Sequence, residues 1–266
     1  RKYDRIFIGI KNIHTTNLKN YSLGKCRISL QYPAKDPLTD GIKMKALPFT
    51  DYTRIPRPDT HSSSDPDFVS LGVNESDIQR AFALHAAGAR NFIIDIAHGH
   101  STMMRHMLKI MRNTFGFGED IYIVAGNVAT PEAVRDLADW GADCIKVGIG
   151  GGSCCSTRVI TGHGVPMFSC LIECCEEADK LGVEIIADGG IKTSGDAVKA
   201  LAAGSDFVMA GSIFSGAPET PGEVISTGGK DYKVFRGMAS VSAMMDRNNR
   251  EIDDLPVGEG VKTTVP

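Results

Sequence analysis

The sequence predicts an α/β fold with a parallel sheet wound as a barrel, and three observations carry that expectation. From residue 68 onward, short apolar runs alternate with amphipathic stretches of roughly 12 to 18 residues. Several of those stretches open on Ser or Thr and close on Gly, the residues that cap helices. Polar and glycine residues then stand just after five successive apolar runs, as loops ringing one site would. An open sheet would gather them at a single switch point instead.

The strand candidates in order are FVSLGV (68–73), FIIDI (92–96), IYIVA (121–125), DCIKV (143–147), EIIA (184–187) and DFVMA (206–210). Between them lie the helix candidates ESDIQRAFALHAAG, STMMRHMLKIMRNTF, TPEAVRDLADWG, SCLIECCEEADKLG and TSGDAVKALAAG. Repeated βα units of this length imply parallel neighbours. Six strands fall short of the eight that a closed (β/α)8 TIM barrel needs. The first two strand–helix units and the last helix are not recognisable. Residues 1–67 are turn-rich, and RIPRPDTHSSSDPD within them reads as a loop or linker. The expected organisation is therefore an N-terminal segment 1–67, a barrel core 68–240 and a mobile flap 241–266 with no closing helix.

Length and composition bound the function. The 266 residues suffice for one α/β barrel or two smaller domains. A net charge of −3 gives no reason to expect nucleic acid or an anionic membrane surface as partner. No apolar run approaches the roughly 18 residues of a membrane span, and RKYDRIFIGI lacks signal-peptide anatomy. Seven cysteines, an odd number with two adjacent pairs, suit a reducing cytoplasm better than a disulfide framework.

The densest motif is GIGGGSCCSTR at 148–158. Successive glycines allow positive φ and close backbone approach, so N–H groups can converge on an anion or carbonyls on a cation. Cys155 at the end of this loop is a candidate nucleophile, since a thiolate attacks once neighbouring dipoles or cations stabilise it. The plainer reading is a tight turn around a small buried side chain, and Cys154 is expected to be that packed residue. In ADGGIKTSGD, Asp188 ends a strand, where a carboxylate can accept both ribose hydroxyls, and the glycines after it can bring N–H groups to a phosphate. Gly211 and Ser212 repeat the pattern after the next strand; either loop alone would be an ordinary glycine turn. His98 and His100 stand two apart with no third ligand at a matching spacing. Cys170 and Cys174 share a helix face and read as core, as do Met103, Met104, Met107 and Met111.

Taken together, IDIAHGHS, AGNVATPE, GADCIKVGIGGGSCCSTRVITGHGVP, IIADGGIKTSGD, FVMAGSIFSG and FRGMAS resemble the IMP dehydrogenase/GMP reductase family of (β/α)8-barrel enzymes. The resemblance runs from about residue 68 to 266. It implies a purine-nucleotide oxidoreductase in which Cys155 attacks C2 of a nucleoside monophosphate and hydride passes to or from a nicotinamide cofactor. Ser153, Gly190, Gly211 and Ser212 would meet the phosphate, Asp188 the ribose, and Gly237 and Met238 the base. Asp95 and Asn127 would lie near the cofactor. Carbonyls of Gly150, Gly152 and Cys155 would face a monovalent cation, K+. Thr157 and Glu259 match a pair used in proton transfer. A cytoplasmic homotetramer is the implied assembly.

The sequence departs from the family pattern at Gly151, where proline is usual, at Cys154, usually aliphatic, and at His163, usually valine. IMP dehydrogenases activate water with an Arg-Tyr pair in a long flap, yet only 20 residues separate Met238 from Glu259 here. Arg247 and Arg250 fall within that span without a following tyrosine, and Phe235 stands where dehydrogenases usually carry Tyr. The expectation is NADPH-dependent conversion of GMP to IMP and ammonia. The alternatives are NAD-dependent oxidation of IMP to XMP, and a non-catalytic nucleotide-binding protein.

Overall fold

The computed structural model describes residues 6–9, 68–116, 121–217, 224–237, 239–242 and 262–265. Six strands run parallel in chain order: β2 (Phe68–Leu71), β3 (Asn91–Asp95), β4 (Tyr122–Val128), β5 (Cys144–Val147), β6 (Glu184–Asp188) and β7 (Phe207–Ala210). A strand order that never reverses, with right-handed crossovers, keeps every connecting helix on one face. That is the winding of a barrel rather than of a doubly wound sheet. One further strand, β1 (Ile6–Gly9), lies antiparallel to β7 at the opposite edge from β2, so the sheet is open among the described residues.

Each strand alternates its side chains between two cores. Val69, Phe92, Ile94, Ile123, Ala125, Ile145, Val147, Ile185, Ala187 and Val208 face the helices and share one buried cluster with them. Ile93, Val124, Cys144, Ile186 and Met209 form a second cluster on the inner face, flanked by Phe68, Tyr122 and Phe207. Near-continuous apolar strands such as FIID and CIKV thus follow from burial on both faces.

The helices form where the caps are. In α2 (Thr102–Phe115), Ser101 accepts from the Met104 N–H at 3.3 Å. For α3 (Pro131–Trp140), Thr130 accepts from Ala133 at 3.2 Å, and Gly141 ends the helix in the left-handed region. In α6 (Ser194–Ala202), Thr193 and Asp196 cap each other reciprocally. The remaining helices are α1 (Glu75–Ala86), the single turn α4 (Thr157–Ile160) and α5 (Met167–Leu181). Cys170 and Cys174 are core residues of α5, as expected. Of the four methionines assigned to the buried face of α2, Met104, Met107 and Met111 are buried but Met103 is half exposed. One residue before Met104, it is turned about 100° away from that stripe.

Among the described residues, β7 is the last strand of the parallel sheet in chain order. After residue 217 the described chain leaves the parallel sheet as a hairpin, β8 (Val224–Thr227) with β9 (Lys230–Arg236), turning at Gly228-Gly229 with positive φ at both. The tail is not loop throughout: β10 (Lys262–Val265) pairs antiparallel with β9, Lys262 opposite Arg236.

At the bottom of the inner face, the Tyr122 hydroxyl donates to Glu184 beside Cys144. Burial, then the charges around it, push the Tyr122 hydroxyl well above its ordinary value near 10, and burial likewise raises the Cys144 thiol. Both groups stay protonated in the native chain where the unfolded chain releases their protons. Unfolding free energy is therefore expected to fall as pH rises past about 9 to 10. Denaturant titrations at a series of alkaline pH values should show Tyr122→Phe losing part of that slope; an unchanged slope would mean that the hydroxyl is not the group responsible.

Candidate active site

The inner-face residues at the C-terminal strand ends are polar where those below are apolar. Asp95 on β3, Gly126 on β4, Lys146 on β5 and Ile186 on β6 lie in one register row, with Asp188 two residues further along β6. The Lys146 side chain is fully buried, and its Nζ lies 3.0 Å from Asp95 Oδ1 and 2.5 Å from Asp188 Oδ2. Gly126 makes this possible: a Cβ there would sit 2.6 Å from the Lys146 Cβ and 2.5 Å from its carbonyl oxygen. Asn127 donates through Nδ2 to the same Asp188 oxygen at 2.9 Å and to the Gly148 carbonyl at 2.8 Å. Its Oδ1 is the one buried side-chain polar atom without a partner among the described residues. A buried acceptor left unpaired costs about 1–3 kcal/mol, so a donor from a ligand is the natural complement.

The loop after β5 is locked onto the loop after β6 by glycines. At Gly148, φ is +139°, and a Cβ would strike the Asp188 carbonyl oxygen. A Cβ on Gly189 would lie 3.0 Å from the Gly151 carbonyl carbon and 3.1 Å from the Gly152 nitrogen. The backbones touch, so side chains are excluded on both sides. From Gly152 the chain makes one turn, with its carbonyl accepting the Cys155 N–H at 3.1 Å. Cys155 is exposed while Cys154 is buried, the orientation expected from the sequence. The Cys155 thiol donates to the Thr157 hydroxyl at 3.1 Å. Gly150 and Gly164 flank the Arg158 stem, each 2.8 Å from its Cγ if given a Cβ, which accounts for glycine at both positions.

Asp95, Asn127, Asp188 and the Gly148–Thr157 loop are thus brought together by direct contacts. Ser153 is exposed on that loop, and Gly190 follows Asp188 with φ +76°. Gly211 and Ser212 follow β7, the neighbour of β6, in a turn where the Gly211 carbonyl accepts from the Phe214 N–H at 3.0 Å. Gly237 directly follows β9, outside the parallel sheet. Met238, Arg247, Arg250 and Glu259 lie outside the described residues. His100 pairs with Asp136 at 2.8 Å against Trp140, and His98 is exposed. His163 is exposed, with Nδ1 3.1 Å from the Thr161 hydroxyl. Among the described residues, no cluster of three or more His, Cys, Asp or Glu could hold a metal ion, and no helix is long and apolar enough to cross a membrane. Sequence reasoning missed Lys146. Its signal was a charged residue in the middle of the apolar strand CIKV, on the same face as the strand-end acids.

A family model for the IMP dehydrogenase / GMP reductase domain matches residues 67–266. The chain belongs to that family. It is 44% identical over 207 residues to an inosine-5'-monophosphate dehydrogenase from Chlorobaculum tepidum, covering 74% of this chain and 41% of the relative. It is 45% identical over 205 residues to a GMP reductase from Leishmania donovani, with the same coverage of 74% and 41%. The crystal structure of a cysteine-to-alanine variant of GMP reductase from Trypanosoma brucei, in complex with guanosine 5'-monophosphate, superposes with a TM-score of 0.69 at 42% identity. That match covers 74% of this chain and 40% of the other. The chain spans about two fifths of the length of these relatives.

Cys155 is the one exposed cysteine among those described; Cys144, Cys154, Cys170, Cys174 and Cys175 are buried. Brief treatment with iodoacetamide, read by peptide mass spectrometry, is expected to label Cys155 well before those five. Earlier labelling of Cys154 would reverse the orientation of the loop.

Proposed function

We propose that this chain catalyses NADPH-dependent reductive deamination of GMP to IMP and ammonia through a covalent adduct on Cys155. The observation that carries the reading is an exposed cysteine on a loop whose glycines bind it to Asp188-Gly189-Gly190, beside the unpaired acceptor of Asn127. Asp188 accepts the ribose hydroxyls, and backbone N–H groups of Gly190, Gly211 and Ser212, with Ser153, take the phosphate. Gly237 and Met238 meet the base.

Cys155 sulfur bonds to purine C2, and its thiol proton leaves through the Thr157 hydroxyl, which already accepts it at 3.1 Å. Thr157, which the family resemblance pairs with Glu259, then protonates the exocyclic amine; the C2–N bond breaks and ammonia departs, leaving C2 bonded to sulfur. When bound, the nicotinamide cofactor supplies the hydride that C2 takes up as the C2–S electron pair returns to sulfur. Asp95 and Asn127 fit that cofactor's side, since Asn127 Oδ1 is a buried acceptor in want of a donor. A K+ ion belongs to the same reading, on the carbonyls of Gly150, Gly152 and Cys155. The Gly152 oxygen, already accepting the Cys155 N–H, would offer its second lone pair. No step depends on the ion. A cytoplasmic homotetramer accompanies this assignment.

One observation favours a second reading, NAD-dependent oxidation of IMP to XMP: relatives of both names are equally similar, at 44% and 45% identity. That reaction must hydrolyse the adduct with a base in hydrogen-bond reach of water. Arginine is a poor base because its guanidinium stays protonated, and neither Arg247 nor Arg250, the arginines of the short span before Glu259, is followed by a tyrosine. Absorbance at the nicotinamide band separates the possibilities. GMP with NADPH is expected to lose it, IMP with NAD would gain it in a dehydrogenase, and a binding protein would do neither. Cys155→Ala should lower turnover roughly 10³-fold or more with nucleotide binding largely intact, and Glu259→Gln should slow deamination. Arg247→Ala and Arg250→Ala should change little; loss of IMP oxidation in either would establish the dehydrogenase.

A further inference from the structure

The reading just given uses Asp188 and Asp95 but leaves the cation between them without a task. Lys146 is fully buried on β5, in contact with Asp188 from the adjacent β6 and with Asp95 from β3, one strand beyond β4. Folding does not explain it. The residues beneath it on the inner face are apolar, and replacing a buried ion pair by well-packed apolar residues is often neutral or stabilising. A methionine at 146 would continue that apolar layer. The charge instead lies at the strand ends where the candidate site begins, in space kept open by Gly126.

The contacts are also directional. Both Lys146 Nζ, at 2.5 Å, and Asn127 Nδ2, at 2.9 Å, fall on Asp188 Oδ2. Two donors on one oxygen fix the rotation of the carboxylate and hence where Oδ1 points. The same ammonium holds Asp95 through Oδ1 at 3.0 Å.

We propose that Lys146 is the positioning residue of the site: one ammonium orients Asp188 for recognition of the ribose diol and anchors Asp95 on the cofactor side, so both half-sites are set by a single charge. The inference rests on the proposed assignment of Asp188 to the ribose. It predicts that Lys146 governs discrimination between ribose and deoxyribose, since a diol is selected only by an acceptor held in a fixed place.

The test measures dissociation constants of GMP and of IMP, each against its 2'-deoxy form, for the parent chain, Lys146→Met and Lys146→Arg. The parent is expected to prefer the ribonucleotide at least tenfold. Lys146→Met should bring that ratio down at least fivefold, and Lys146→Arg, which retains a cation able to bridge two carboxylates, should keep it within about threefold of the parent. Should Lys146→Met fail to fold, Lys146→Met/Asp95→Asn restores the cluster's net charge of −1, and the same collapse of the ratio is expected. A ratio preserved in the folded methionine variants, with both ligands weakened alike, would mean a purely structural lysine and would overturn the proposal while leaving the assigned function standing. A parent that binds nucleotide without discriminating would overturn it as well. A parent that binds neither nucleotide would bring down the functional assignment and this inference together.

Discussion

Lys146 carries a full charge into the interior of the sheet, and much of the site follows from accommodating it. An ammonium away from water must be paired, so a carboxylate is required within reach on each side. Asp95 and Asp188 meet that need from β3 and β6. The strand between Lys146 and Asp95 must then present no side chain at that level, which makes Gly126 obligatory. The residue after Gly126, Asn127, is thereby placed to steady the Asp188 carboxylate while its own Oδ1 stays buried and unpaired. Four strands are tied to one another at the end where the loops begin, by chemistry rather than by packing alone.

A second constraint builds on the first. Once Asp188 is fixed, the backbone after it is fixed too, and the loop after β5 packs directly against it through Gly148, Gly151 and Gly189. Backbone-to-backbone contact leaves little slack, so the turn that presents Cys155 takes its position from β6 as much as from its own strand. The proline usual at position 151 would stiffen this loop from within. Here the stiffness comes from outside, through contact with Gly189 and Gly190.

The fold was legible because its two periodicities are strong. Apolar runs of four to five residues and Ser/Thr-to-Gly brackets around the helices located all six parallel strands and the long helices between them. Cys155 and Asp188 stood out because each combines a reactive group with adjacent glycines. Lys146 did not, since its meaning lies in partners about 50 residues before it and 42 after it, which the sequence cannot juxtapose. Met103 was misassigned because a run of methionines hides the helical phase. The hairpin β8–β9 and the strand β10 were missed because β8 and most of β10 are exposed, and because the buried positions of β9, Lys233 and Phe235, do not form the apolar run that marks the parallel strands. The roles of Met238 and Glu259 rest on resemblance, as neither falls within the described residues.

The pairing of β10 with β9 has a consequence of its own. Residues 237–261 leave the sheet after Arg236 and return at Lys262, its direct partner, so both ends of this connection are fixed at one place whatever lies between. For a flexible loop, doubling the length costs only about 0.6 kcal/mol in closure entropy. With both ends held by the β9–β10 pairing, a change in the length of this connection is a change in a loop whose anchor points stay where they are, apart from the strands that carry Asp95, Lys146 and Asp188.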